Sequence, residues 1–446
     1  MIASIVHALY NVPRTRYTFG VPEKEKTGRR EAVRERLRRR PRIRPKVYGY
    51  LSEEKESLRQ GFAALFLSSA GELVAGIVLA GISGILDELV GLAVLIPAAI
   101  GMRGAIFGAM GSRLSTSLQT GLFELNLRRG VLAENAQAAA VLSLVSGVFL
   151  AFLARFLCDV LGVPTELTVL DYVVISTMGG ILAGVLLLGI TVVVARLSVA
   201  RGWDMDNIAA PMLTAAGDIL TLPALVLTTY LIDIPIFSNG LALVLILVAI
   251  AAAILGFRLG TANLKRILAE SLPLLALTGT VMILVGLALQ ERHEQFVAFQ
   301  SLLILLPAFL QEGGALGGIL SSRLSSKVHL GLLAPRSIPE WGAFRDFTLT
   351  YIFATGVYIF IGGAAHWLAV ALGQTTPGFA KMIGISALAG LIATTASVLA
   401  AYYGSTISYR FGLDPDTYGI PIITAAVDLL GFMSLIIALI VFGLAG

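Results

Sequence analysis

The sequence predicts an all-α polytopic membrane protein of about 11 transmembrane helices, arranged as two parallel five-helix repeats plus one linking helix. Three observations carry this. Apolar residues make up 57% of the 446 and charged ones only 14%, with a mean hydropathy of +0.85, far from the balance of a soluble chain. The apolar residues fall into runs of about 20, the length of one helical crossing. The runs of the second half repeat those of the first, with matching words displaced by 210 residues.

In chain order, residues 1–57 form a basic tail carrying 15 of the 33 Lys and Arg against seven Glu. Its arginines between Arg34 and Arg44 are expected to meet anionic lipid headgroups beside a membrane domain rather than nucleic acid. Its apolar start is too short for a crossing and shows no signal-peptide cleavage pattern. Five spans follow: Leu58 to Ile82, Leu92 to Leu118, Ala136 to Leu161, Tyr172 to Ala195 and Ile208 to Leu231. Displacement by 210 predicts five more, found near Leu268 to Leu289, Leu302 to Val328, Asp346 to Ala371, Met382 to Ser405 and Tyr418 to Val441.

Phe237 to Phe257 has no counterpart. Two five-span units joined directly would run in opposite senses, and one extra crossing makes them parallel. The domains expected are therefore a cytoplasmic tail (1–57), a first repeat (58–235), a linking helix (236–258) and a second repeat (259–446). With the tail inside, the inner loops carry twelve Lys and Arg against two, Arg292 and Lys381, in the outer ones. Such a bias places the amino terminus in the cytoplasm and the carboxyl terminus outside. A prokaryotic plasma membrane is the expected location. One cysteine, Cys158, and four scattered histidines leave hard oxygen groups as the available metal ligands.

The fifth span of each half contains a carboxylate. Pro211 to Leu227 reads PMLTAAGDILTLPALVL and Pro421 to Ile437 reads PIITAAVDLLGFMSLII, which aligns Asp218 with Asp428 and Thr214 with Thr424. An ionisable group in a span costs at least ~2.5 to 3.5 kcal/mol on insertion scales, so its default reading is functional. Asp206 and Asp416 are expected to open these helices as N-caps. Twelve residues at ~1.5 Å each put Asp218 and Asp428 ~18 Å deeper, near the middle of a ~30 Å core. Asp204 and Asp206, with Asp414 and Asp416, also place carboxylates at the cytoplasmic mouth, where they would concentrate cations. Thr214 and Thr424 lie one turn before the aspartates, on roughly the same face. Their hydroxyls either touch waters of a bound ion or return to the helix backbone.

The second span of each half is rich in glycine. Gly104, Gly108 and Ser112 align with Gly314, Gly318 and Ser322, and Arg113 with Arg323. These small residues suit close helix packing or the lining of a pore, and the arginines suit snorkelling to phosphate. Glu72 and Arg103 both fall mid-span, so an ion pair between them is expected, with participation in an ion path as the alternative. The halves are not electrically symmetric: Met282 stands in the place of Glu72 and Gly313 in that of Arg103, with Glu312 beside it.

Together the glycine-rich helix ending in Ser-Arg-Leu-Ser and the Thr-Ala-Ala-x-Asp helix resemble the MgtE family of magnesium transporters, specifically its solute-carrier branch with two membrane domains in one chain. The resemblance covers about residues 58 to 446. It implies two five-span domains about a pseudo-two-fold axis, with Asp218 and Asp428 facing Mg²⁺ in a central pore. The family motif usually has Asn after the glycine of the second span, where this chain has Ala105 and Ala315. The soluble sensor domains of the bacterial channels are not expected within the 57-residue tail.

Physical chemistry reaches a hydrated divalent cation by a separate route. Two carboxylates facing each other across an axis repel unless a cation lies between them or one is protonated. Mg²⁺ keeps several waters while bound by one or two carboxylates, although Mn²⁺, Co²⁺ and Ca²⁺ remain open. The reading is transport of a hydrated divalent cation, most simply Mg²⁺, with Glu72 and Glu312 as further path or second-sphere groups. A Na⁺- or proton-coupled exchanger of Mn²⁺ or Co²⁺ is the alternative. An intramembrane aspartyl protease fits poorly, because both aspartates occupy the same repeated word, and no enzyme is expected. The partners are the bilayer and divalent cations, and one chain, holding both halves, suffices for one pore.

Overall fold

Each long apolar run folds as a helix because hydrocarbon offers the backbone no hydrogen-bond partner other than itself. A computed structural model describes residues 55–444 except 122, 127, 202–204, 233, 330–331, 337 and 412–419. The chain divides at Arg59, and of the leading unit only residues 55–59 are described. The helices are α1 (Lys55–Gly81), α2 (Ser83–Glu88), α3 (Leu92–Gln119), α4 (Val131–Leu161), α5 (Val169–Arg201), α6 (Met205–Thr229), α7 (Pro235–Leu259), α8 (Ala262–Glu291), α9 (His293–Ala298), α10 (Gln300–His329), α11 (Trp341–Ala371), α12 (Phe379–Phe411) and α13 (Ile420–Val441), with no strand among the described residues. Ten of them are long and apolar enough to cross a membrane, and Leu65–Gly81 of α1 is a shorter apolar helix.

Several helices start before the spans expected from hydropathy. α4 and α11 begin at Val131 and Trp341 rather than Ala136 and Asp346, and α8 begins at Ala262, where the Thr261 hydroxyl accepts from the Leu264 amide. Hydropathy marks only the part of a helix that needs hydrocarbon, and a capped polar first turn is invisible to it. The six-residue helices α2 and α9, again 210 apart, were not expected. They meet through His293 Nε2 and Asp87 Oδ1 at 2.6 Å, and Gln300 Nε2 donates to Ser83 Oγ at 3.1 Å.

The two halves pack in the same way. α3 contacts α4, α5 and α6, and α10 repeats this with α11, α12 and α13; α4 packs on α5 and α5 on α6, as α11 does on α12 and α12 on α13. α7 leans on α4, α5 and α8 and leaves Leu243, Leu247, Ile250 and Ile254 exposed, as a lipid-facing helix does.

The first helix of each half touches its own fifth span, α1 at Gly71 and Ala215 and α8 along α13, but crosses over to the other half. α8 lies on α3 and α4; α1 meets α11 through Phe66 and Phe360, whose ring centroids are 4.7 Å apart, and meets α10 at Gly76. A Cβ added at Gly76 would strike the Ile304 carbonyl oxygen, and one added at Gly286 would strike that of Val94. Both members of this contact are displaced by 210 residues, so α1 on α10 and α8 on α3 are one crossing made twice. Backbones that approach this closely exclude any side chain larger than hydrogen.

At one end of the second half, Lys327 Nζ donates to both Asp346 oxygens at 2.8 and 2.7 Å, and Asp346 is only 1% exposed. Removing one member of a buried pair leaves an uncompensated charge, at a cost of about 3–5 kcal/mol. Lys327→Ala is therefore expected to lower the thermal midpoint of the detergent-solubilised protein sharply. Adding Asp346→Asn to it should restore much of the loss.

Candidate functional site

Asp218 on α6 and Asp428 on α13 line one cavity of about 440 Å³. Their side chains are nearly enclosed, at 5% and 6% exposure, and Asp218 lies within the electrostatic reach of Asp428. Thr214 and Thr424 line the same cavity, as do Gly104 and Gly108 of α3. Gly104 and Gly108 face Thr214, so on these residues packing and lining coincide; Gly314 faces Thr424 and Asp428 Oδ1. At ~30 Å³ per water, a cation with six waters needs roughly 200 Å³, which this space exceeds.

Some expected residues stand elsewhere. Ser112 and Ser322 are exposed and Gly318 is half-buried, and none of the three lines the cavity. Arg113 does not simply reach for lipid: Nη1 donates to Asn135 Oδ1 at 3.3 Å and Nη2 to Ser271 Oγ at 3.4 Å, joining α3 to α4 and α8. Asp204, Asp414 and Asp416, with the side chain of Asp206, lie outside the described residues.

The expected Glu72–Arg103 ion pair is not formed. Arg103 Nε and Nη1 are buried without a hydrogen-bond partner, and buried Glu72 sits against Asp218 instead. The crossed helices separate them. α1 carries Glu72 towards Asp218 and Glu312, while the Arg103 guanidinium packs over Gly180 of α5. In the second half the Tyr358 ring takes the same place over Gly390, and a Cβ at Gly313, the counterpart of Arg103, would lie 3.6 Å from the Tyr358 hydroxyl. An arginine and a tyrosine thus fill equivalent volumes. Neither Glu72 nor Glu312 lines the cavity; Glu312 Oε1 lies 2.6 Å from Ser69 Oγ of α1.

Among the lining residues that escaped the sequence reading are Thr278, Met282 and Gln311. Met282 and Gln311 are the counterparts of Glu72 and Gly101, and Met282 Cγ lies 3.5 Å from a Cβ placed at Gly101. Positions at which the repeats differ were the available signal. No group of three or more His, Cys, Asp or Glu able to hold a metal exists among the described residues.

A family model described as MgtE, divalent cation transporter, matches residues 96–228 and again 306–438. The chain belongs to the MgtE family. The two matches are themselves 210 residues apart, the displacement of the crossing and of the aspartates. MgtE proteins are divalent cation transporters, not enzymes, which removes the protease alternative. Among relatives of this MgtE chain, solute carrier family 41 member 3 of Rattus norvegicus is 24% identical over 401 residues, 82% of this chain and 83% of its own length. Solute carrier family 41 member 2 of Xenopus laevis is 24% identical over 434 residues, 86% of this chain and 72% of its own. These relatives are vertebrate, so the prokaryotic membrane expected above gains no support from them. A solved eukaryotic MATE transporter, AtDTX14, overlaps 88% of this chain and 96% of its own at 14% identity, with a TM-score of 0.31, and no fold relation is drawn from it.

Proposed function

We propose that this chain passes Mg²⁺, still carrying most of its water, through the cavity between the repeats, with Asp218 and Asp428 neutralising its charge from opposite sides. The observation that supports this is that both carboxylates line one shared cavity. Thr214 and Thr424 line it too and offer hydroxyls to the waters of the ion. Two carboxylates suit a cation that dehydrates reluctantly and holds its own shell, as Mg²⁺ does. Ca²⁺ more often binds six to eight oxygens directly, an arrangement that a path for a still-hydrated ion does not call on. One chain contains both halves of the path, so a monomer is sufficient. The basic tail lies on the cytoplasmic side against anionic headgroups, and the carboxyl terminus lies outside.

Uptake into vesicles holding the purified protein tests the proposal. Mg²⁺ entry is expected to exceed Ca²⁺ entry by roughly tenfold, equivalent to ~1.4 kcal/mol. Uptake no faster than in protein-free vesicles, or a preference for Ca²⁺, would remove it.

A further inference from the structure

Where α1 crosses α10, three oxygens stand in a row. Ser69 Oγ is 2.6 Å from Glu312 Oε1 and 2.8 Å from the carbonyl oxygen of Leu65. Both separations are those of O–H···O hydrogen bonds, and Ser69 Oγ is placed to donate to either acceptor. A serine hydroxyl brings one proton and a carbonyl none, so an ionised Glu312 would have to share that proton with Leu65. A proton on Glu312 gives each of the two contacts its own hydrogen.

The surroundings agree. Ser69 and Glu312 are both 0% exposed, and Glu312 Oε2 has no hydrogen-bond partner. The titratable groups facing Glu312 are Glu72 from α1 and Tyr358 from α11, and Tyr358 in turn faces Asp428 of α13. From α12, Ser397 directs its hydroxyl at the Gly313 carbonyl at 3.2 Å. Among the described residues Glu312 has no cationic partner. An ionised carboxylate in this setting would be held by one serine hydrogen at most, against the donors that a buried charge requires.

We propose that Glu312 is a proton-binding site: its carboxyl donates to Ser69 Oγ, which donates to the Leu65 carbonyl, and the proton leaves when a divalent cation enters the neighbouring cavity. Gln311, the preceding residue, lines that cavity, and a double positive charge there favours the ionised form of a carboxyl close by. Linkage makes the effect reciprocal: raising the pH removes the proton and strengthens cation binding, and cation binding expels the proton. The release half of this proposal rests on the cation reading given above, whereas the assignment of the proton does not.

Two measurements separate these halves. In the infrared difference between wild type and Glu312→Gln, without divalent cations, a protonated-carboxyl band is expected to disappear while the carboxylate bands stay unchanged. Glutamine keeps an N–H for Ser69 Oγ, so the crossing is preserved. Ser69→Ala should retain the band at a higher frequency, because the carboxyl has lost its acceptor. Loss of carboxylate bands in Glu312→Gln, or an unmoved band in Ser69→Ala, would overturn the assignment. With a pH dye in weak buffer, Mg²⁺ is expected to release about one proton per chain more from wild type than from Glu312→Gln. Equal release from both would overturn the coupling. A chain that shows the infrared band but carries no divalent flux would refute the transport reading and leave the proton site standing.

Discussion

Converting Asp218 and Asp428 together to Asn is expected to abolish divalent flux while the protein still elutes as one species with unchanged helix content. Asn conserves volume and a hydrogen-bonding oxygen, so what is lost is the charge facing the ion. Removing one member of an enclosed charge pair typically costs ~2–5 kcal/mol, which puts each single variant at roughly 30-fold or more below wild type. The two should not be equal. Glu72 of α1 faces Asp218, so Asp218→Asn leaves an acidic group behind the lost one, just outside the cavity lining, whereas the place equivalent to Glu72 in the other half is taken by Met282. Asp428→Asn is therefore expected to be the more damaging. Initial rates of Mg²⁺ entry for both single variants and the double variant decide this. Wild-type rates in the double variant would show that ions do not pass between the two carboxylates.

The repeat is what made the aspartates legible. Hydropathy locates crossings because the bilayer requires long apolar runs, and a carboxylate inside such a run is conspicuous because it is costly. The displacement of 210 then paired Asp218 with Asp428, Thr214 with Thr424 and Gly104 with Gly314, residues the structure gathers at matching helix contacts. What stayed hidden depends on which helix lies beside which. Glu72 and Arg103 look like an ion pair when each half is taken to fold by itself, and the exchange of α1 and α8 between halves is what parts them. Nothing in hydropathy distinguishes a helix packed on its own repeat from one packed on its neighbour's, since lipid tails and leucine side chains are equally apolar. The lining of the cavity by Met282 and Gln311 was missed for the same reason. Ser69 was passed over because a lone hydroxyl in a span most often bonds its own backbone, and Ser69 does so at Leu65 as well as meeting Glu312.

Alanine at Gly76 or Gly286 is expected to weaken the folded state at both crossings, and valine at either to prevent it. The added Cβ meets a carbonyl oxygen of a helix, Ile304 in one case and Val94 in the other, and a helical backbone cannot swing aside as a side chain can. Overpacking of this kind costs about 1–3 kcal/mol, occasionally more, and here it also spreads helices that carry functional groups. α1 brings Ser69 to Glu312 only if its crossing with α10 is tight, and α8 brings Met282 against Gly101 only if its crossing with α3 is. Thermal unfolding of the detergent-solubilised variants should show comparable losses for Gly76→Ala and Gly286→Ala, since one contact is made twice. Gly81, on the same helix as Gly76 but with open space where its Cβ would stand, supplies the control: Gly81→Ala should leave the midpoint within about 0.5 kcal/mol of wild type. Equal stability of all three variants would mean that α1 and α8 do not exchange between the halves. The shared cavity would then lose the crossed framework that holds its two aspartates together.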